Sequence, residues 1–207
     1  MDYTAHLAKD KKLRKLIDGR EPFKLTKRKN VCIYLCASIM SQQLSTKVAT
    51  VIYNRFLHLF DGKEPSSEQI LQVPVETLRS IGLSNAKANY VHNVARFALE
   101  KGMDATKLRR MSNDELIEYF TEIKGVGRWT TEMLLMFALG REDVFAVDDL
   151  GIQTAMIALY KLDNADKKKL KLEMLRISEK WSPYRTYACL HLWHWKDNVP
   201  APKKERS

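Results

Sequence analysis

The stretch EIKGVGRWTTEMLL, residues 122–135, decides the fold. Gly125 and Gly127 stand between two helical patterns, SNDELIEYF before them and a run carrying Thr130, Met133, Leu134 and Phe137 at core spacing after them. A hairpin there calls for positive φ and close chain approach, both of which glycine permits. A tight Gly-x-Gly turn at a helix N-terminus leaves backbone N–H groups and the positive end of the helix dipole facing outward, an arrangement suited to a phosphate. The plainer reading is a helical hairpin with glycines for geometry alone. A dinucleotide site is excluded, because no strand precedes the glycines. A looser version occurs in SIGLSNAKANYV, residues 80–91, where Gly82 breaks one helix and Ser84 or Asn85 caps the next.

Outward from the hairpin the chain reads as helix after helix. AHLAKDKKLRKLIDG (5–19) is amphipathic and stops on Gly19, and KVATVIYNRFLHLFDG (47–62) stops on Gly62. NVCIYLCASIMSQQ (30–43) is nearly all apolar and predicts a central helix covered on every side. LGIQTAMIALYKL (150–162), ADKKKLKLEMLRISEKW (165–181) and PYRTYACLHLWHWKD (183–197) complete the series. DVFAV (143–147) is the one strand candidate, too short to organise a sheet. The expectation is an all-α fold of two helical lobes with a groove between them. Residues 1–197 form a single helical domain and 198–207, NVPAPKKERS, a disordered basic tail.

A chain of 207 residues with 45% hydrophobic content can bury about 70% of its unfolded surface, so it needs no metal or disulfide for stability. A net charge of +10, from 35 basic and 25 acidic residues, points to a polyanionic partner, above all nucleic acid. Cys32, Cys36 and Cys189 read as buried thiols of a reducing compartment, the first two one helical turn apart. The N-terminal stretch is charged throughout and lacks the apolar core of a signal peptide, and no apolar run reaches membrane-spanning length. An intracellular protein is expected, in the cytoplasm or nucleoid of a prokaryote or the nucleus of a eukaryote.

VFAVDDLGIQ (144–153) sets Asp148 and Asp149 between a greasy run and a helix. Carboxylates rarely enter such surroundings unless paired or needed for their charge. A pair of this kind is ordinarily a cap or a surface feature. CLHLWH places Cys189, His191 and His194 close together, but a second ligand pair with zinc spacing is missing. The runs KRK (27–29) and KKK (167–169) read as solvated faces that add salt-dependent attraction to DNA at most.

Taken together, IKGVGRWTTEMLLMFALGREDVFAVDDLGI (123–152) resembles the helix-hairpin-helix/GPD superfamily of DNA base-excision glycosylases, and within it the DNA-3-methyladenine glycosylase II group. SIMSQQLSTKVA (38–49), IGLSNAKANYV (81–91) and WSPYRTYACLHLWHW (181–195) resemble other blocks of that group, so the likeness runs from about Asn30 to Asp197. The N-terminal β-rich lobe of some members and the iron–sulfur cysteines of endonuclease III relatives have no counterpart here.

The resemblance implies that the second acid of the pair is catalytic. Ile152, three positions after Asp149, agrees with that register, leaving Asp148 to cap the helix or face a neighbour. It implies a substrate pocket of Trp129, Trp193 and Tyr187, with Trp181 and Tyr184 read as plain core. DNA would be held by Gly125, Val126, Gly127, Arg128 and Thr130 of the hairpin, with the groove between the lobes as its seat. SQQLS would supply the wedge that fills the space of a flipped base, Gln43 at the matching position and Leu44 beside it. Bifunctional members place a lysine two residues after the second glycine; Trp129 stands there, so no Schiff-base nucleophile is present.

The resemblance thus implies a monofunctional enzyme that hydrolyses the N-glycosidic bond of 3-methyladenine and 7-methylguanine in double-stranded DNA and leaves an abasic site. It would act as a monomer, with no cofactor beyond a Na+ or K+ held by the main-chain carbonyls of Thr121, Ile123 and Val126. Two rivals remain at this stage. One is excision of a different lesion, hypoxanthine or an oxidised purine. The other is a non-catalytic helix-hairpin-helix module, which would leave Asp149 and the aromatic residues idle.

Overall fold

The periodicities resolve into helices alone: a computed structural model describes residues 2–198, and among them there is no strand. The chain divides into two compact units, one of residues 26–140 and one of residues 1–25 with 141–207. No helix of the described residues is long and apolar enough to cross a membrane.

The 26–140 unit is built on α3 (Val31–Ser41), which packs against α4 (Thr46–His58), α7 (Asn85–Glu100) and α10 (Arg128–Phe137). Asn30 starts α3 by accepting from the Ile33 amide at 3.1 Å, and Val31, Cys32, Leu35, Cys36, Ile39 and Met40 are buried. The expectation that α3 is covered all round needs correction. Tyr34, Ala37 and Ser38 are half-buried and Ser41 is exposed, and their spacing makes them one face of the helix. Small and hydroxyl-bearing residues leave that face unfilled.

α5 (Ser67–Gln72) and α6 (Val75–Ser80) pack on α7, α9 (Asn113–Thr121) packs on α10, and the short α8 (Ala105–Leu108) precedes α9 in the chain. Ser84, not Asn85, caps α7, accepting from the Lys87 amide. Ser112 and Glu115 form a reciprocal capping box at the start of α9. The amphipathic α9 then lays Leu116 and Phe120 into the core, next to α10.

The other unit begins where one amphipathic helix was expected over residues 5–19. Two stand there instead, α1 (Tyr3–Leu7) and α2 (Lys11–Ile17). The break comes from Asp10, whose carboxylate accepts from the amides of Lys12 at 2.9 Å and Leu13 at 3.4 Å and so ends one helix by starting another. α11 (Leu150–Tyr160), α12 (Lys167–Glu179) and α13 (Arg185–Asn198) follow, α13 packing on both α11 and α2. Asn198 closes α13; residues 199–207, the rest of the expected tail, lie outside the described residues.

DVFAV forms no strand. Val144, Phe145, Ala146 and Val147 are buried, and Thr186 of α13 serves their backbone: its hydroxyl accepts from the Val144 amide at 3.0 Å and donates to the Arg141 carbonyl at 2.6 Å. Trp181 and Tyr184 are buried as expected, Trp181 packing edge-on against Phe145. The three cysteines are buried free thiols.

Asp10 ties this unit together. Beyond capping α2, it accepts from the Tyr160 hydroxyl at 2.8 Å and the Trp181 indole at 3.2 Å, and Lys180 lies 3.5 Å away. Burial works against its charge, yet the Lys12 amide, Trp181, Tyr160 and Lys180 outweigh that and hold its carboxyl below the usual value. Burial and the neighbouring carboxylate push the Tyr160 phenol upward, which keeps it a donor. Asp10→Asn should cost about 2–3 kcal/mol in denaturant unfolding at pH 7. Because the folded pKa is depressed, the contribution is complete above the unfolded value near 3.9 and is lost as pH falls through the folded one. The gap between wild type and D10N should therefore close below about pH 4.

Candidate active site

After α9 the chain turns through Ile123, whose amide donates to Phe120, and Val126, whose amide donates to the Ile123 carbonyl at 2.9 Å. Gly125 has φ 107°, and a Cβ there would lie 2.3 Å from Cγ of Tyr90 on α7. Glycine is thus required by conformation and by space. Ile123 and Val126 are buried and anchor the turn, while Asn93 of α7 donates to the Lys124 carbonyl at 3.1 Å.

Gly127 departs from expectation. Its φ of −98° is one any residue adopts, and nothing lies within 4 Å of where its Cβ would be. It starts α10 with no side-chain cap. What glycine provides here is an uncluttered approach to the first turn of α10. Arg128 reaches from that turn to the buried Glu132, its Nε donating at 3.0 Å while its side chain stays 55% exposed.

Trp129 is 44% exposed and lines a cavity of about 600 Å3, together with Tyr34, Ser38 and Ser41 on the open face of α3 and Thr130, Met133 and Phe137 of α10. Gln42, Gln43 and Leu44, the loop between α3 and α4, complete it. Aromatic, thioether and neutral polar groups line this cavity and no charged side chain does, which suits a flat aromatic guest. Tyr34 is fixed by donating to the Met133 carbonyl at 3.2 Å.

The wedge candidates Gln43 and Leu44 are both exposed, and Gln43 adopts φ 59°, a left-handed conformation that costs a non-glycine residue about 1 kcal/mol or more. Lys87 holds the loop in place, its ammonium donating to the carbonyls of Met40 at 3.0 Å and Gln42 at 2.6 Å. Sequence reasoning passed over Lys87. A lysine near a helix start carries no local signal that it clamps a loop more than forty residues away.

In the other unit, of the two roles open to Asp148, helix cap or contact with a neighbour, the structure shows the second, and the cap is Asp149. Asp149, not Asp148, caps α11: its backbone is extended, its carbonyl accepts from Gln153, and its Oδ1 accepts from the Ile152 amide at 2.8 Å. The same Oδ1 accepts from Nε1 of Trp193 on α13 at 2.8 Å. Asp148 lies one residue too early to cap and turns to Lys171 of α12, with Nζ 2.8 and 2.9 Å from its two oxygens. Leu150, directly after Asp149, is 75% exposed.

Trp193 and Tyr187 share α13 but not surroundings. Tyr187 is buried, stacked on Tyr3 with ring centroids 3.9 Å apart, and donates to Glu142 at 2.9 Å. That face of its ring is closed to a guest. His191 is buried near Phe23, and desolvation lowers its pKa to about 4, so it is neutral at physiological pH.

A family model described as the HhH-GPD superfamily base excision DNA repair protein matches residues 36–182. DNA-3-methyladenine glycosylase 1 of Schizosaccharomyces pombe is 38% identical over 186 residues, covering 88% of this chain and 80% of its own. The crystal structure of a DNA-3-methyladenine glycosidase from Bacillus halodurans superposes with a TM-score of 0.80 at 38% identity, over 93% of this chain and 88% of the other. A 3-methyladenine DNA glycosylase of S. pombe, solved in complex with abasic DNA, does so with a TM-score of 0.83 at 33% identity, over 98% of this chain and 100% of the other.

The two glycines of the turn should behave unequally. Gly125→Ala should cost about 3 kcal/mol through left-handed strain and collision with Tyr90. Gly127→Ala should leave the unfolding free energy of the free protein within about 1 kcal/mol. Equilibrium denaturation of both variants makes the comparison.

Proposed function

The chain belongs to the HhH-GPD superfamily of base excision DNA repair proteins, and on that footing we propose that it is a monofunctional DNA glycosylase acting on alkylated purines. It binds double-stranded DNA, takes 3-methyladenine or 7-methylguanine out of the stack, and hydrolyses the N-glycosidic bond to leave an abasic site. The observation that carries this reading is Asp149, a carboxylate held by two 2.8 Å hydrogen bonds at the start of a helix, in a family whose relatives named above are 3-methyladenine glycosylases.

Cleavage of the N-glycosidic bond develops positive charge on the deoxyribose, as in glycoside hydrolysis. A fixed carboxylate beside that charge stabilises it, and a dry site strengthens the effect. Asp149 takes this role and orients the attacking water. Bases alkylated at ring nitrogen already carry positive charge and leave without strong acid assistance. Trp129 supplies an exposed aromatic face on which a cationic base rests favourably. The ring also occupies the place where bifunctional members carry their nucleophilic lysine, so release without strand cleavage is expected.

The hairpin residues Gly125 to Arg128 and Thr130 bind the DNA backbone, Gly127 admitting a phosphate to the first turn of α10. Gln43 or Leu44 enters the duplex in place of the flipped base. Trp193 belongs to the same reading through its contact with Asp149, whereas Tyr187, buried with one ring face on Tyr3, has only its other face left for that role. A monovalent cation on the carbonyls of Thr121, Ile123 and Val126 fits the donor chemistry. Carbonyl oxygens suit a hard cation, and the Ile123 carbonyl keeps a lone pair beyond the one engaged by Val126. The protein acts as an intracellular monomer.

Incubation with methylated genomic DNA should free 3-methyladenine and 7-methylguanine without nicking the strands. Asp149→Asn should lower base release by about 10²-fold or more while duplex binding persists, since asparagine still caps α11. Asp148→Asn, which loses a half-exposed ion pair with Lys171, should stay within a few-fold of wild type. Equal losses in both variants, or full activity in D149N, would overturn the assignment.

A further inference from the structure

Gly151 occupies the second position of α11, and nothing about its backbone requires glycine: its φ lies outside the left-handed region. Glycine is a weak helix former, so space rather than backbone conformation is the feature of this position to consider. A Cβ on residue 151 would lie 3.0 Å from Oδ1 of Asp149 and 3.0 and 3.1 Å from Cδ1 and Nε1 of Trp193. These atoms belong to the two partners of one hydrogen bond, the 2.8 Å contact from the Trp193 indole to the Asp149 carboxylate. The indole therefore crosses directly over the α-carbon of Gly151 to reach the acid.

We propose that Gly151 and Trp193 are positioning residues for Asp149: the bare α-carbon of Gly151 lets the Trp193 indole N–H grip the carboxylate and set the plane in which it faces the reacting sugar. This rests on the reading of Asp149 as the catalytic carboxylate. The Ile152 amide holds Oδ1 from the helix side and Trp193 holds the same oxygen from α13, each at 2.8 Å. A carboxylate bound by one amide alone can swing about its χ angles. Two donors from different helices, α11 and α13, remove that freedom before substrate arrives. Pre-set orientation of this kind matters greatly for a charge-stabilising group, where a displacement of about 1 Å can cost about 10²-fold in rate. A methyl group at position 151 cannot sit 3.0 Å from both partners without parting them. Trp193→Phe keeps an aromatic ring and removes only the donor.

The test measures single-turnover release of 3-methyladenine from a duplex at saturating enzyme, for wild type, D149N, G151A, W193F and the double variant G151A/W193F. Binding to a duplex carrying an abasic-site analogue, thermal melting and the indole 1H–15N resonance of Trp193 are followed alongside. Gly151→Ala should slow base release about 10- to 100-fold and Trp193→Phe about 10-fold. Duplex affinity should change less than about twofold, and each variant should still melt in one cooperative transition well above the assay temperature, so that the loss is read on folded protein. The double variant should be no slower than the worse single one, because both remove the same contact. The Trp193 indole resonance should shift in D149N and shift likewise in G151A.

Loss of activity in D149N with wild-type rates in G151A and W193F overturns the positioning role and leaves the catalytic reading standing. An indole resonance unmoved by either D149N or G151A also overturns it, because the contact would be absent in solution. Full activity in D149N overturns both, since no catalytic carboxylate would then be there to orient.

Discussion

The first turn of an α-helix holds backbone N–H groups with no partner inside the helix, and in a chain built of helices that deficit recurs at every element. Here it is met by short polar side chains. Asp2, Asp10, Asn30, Ser45, Ser66, Ser84, Asp104, Ser112, Asp149 and Asp166 each accept from an amide of the helix they precede. Asp10 and Asp149 also bind side chains of distant helices, and α6 and α10 start with no side-chain cap at all.

Asp10 is the first. As a cap it breaks an otherwise continuous amphipathic pattern into two helices, and as a buried acceptor it joins the N-terminal segment to Tyr160 and Trp181. Asp149 is the second. Capping fixes one of its oxygens against the Ile152 amide, and the indole of Trp193 meets the same atom. Cap geometry thereby becomes a means of holding a carboxylate still, which is what stabilisation of a developing cation requires. At α10 the cap is omitted: Gly127 offers no side chain and has open space beside it. There the first turn remains open to an anion from outside the chain.

The sequence alone carried the helical architecture and the hairpin a long way. A 3.6-residue period punctuated by glycine is a local property, and so is the need for glycine at position 125, where the turn takes φ 107°. Asp149 was legible only through its linkage to the hairpin block upstream, since a pair of acids before a helix usually means a cap. In the structure it is the cap of α11. The split at Asp10 escaped notice because the break spans so few residues that the apolar rows on either side still line up. The open face of α3 escaped because Ala37, Ser38 and Ser41, set among aliphatic residues, read as core.

By itself, then, the sequence determined an all-helical chain, the glycine turn and a positively charged molecule with a carboxylate at a helix start. Those properties depend on residue type, on spacing within a few turns and on summed charge, none of which needs long-range contacts. Tertiary structure decided which acid caps and which pairs with Lys171, where Lys87 sends its ammonium, why one face of Tyr187 is covered by Tyr3, and how closely the Trp193 indole passes over residue 151. Each of those joins residues far apart in the chain, and a hydrogen bond reaching across dozens of residues leaves no trace in local periodicity. Only the packing of one helix on another brings its two ends within 3 Å.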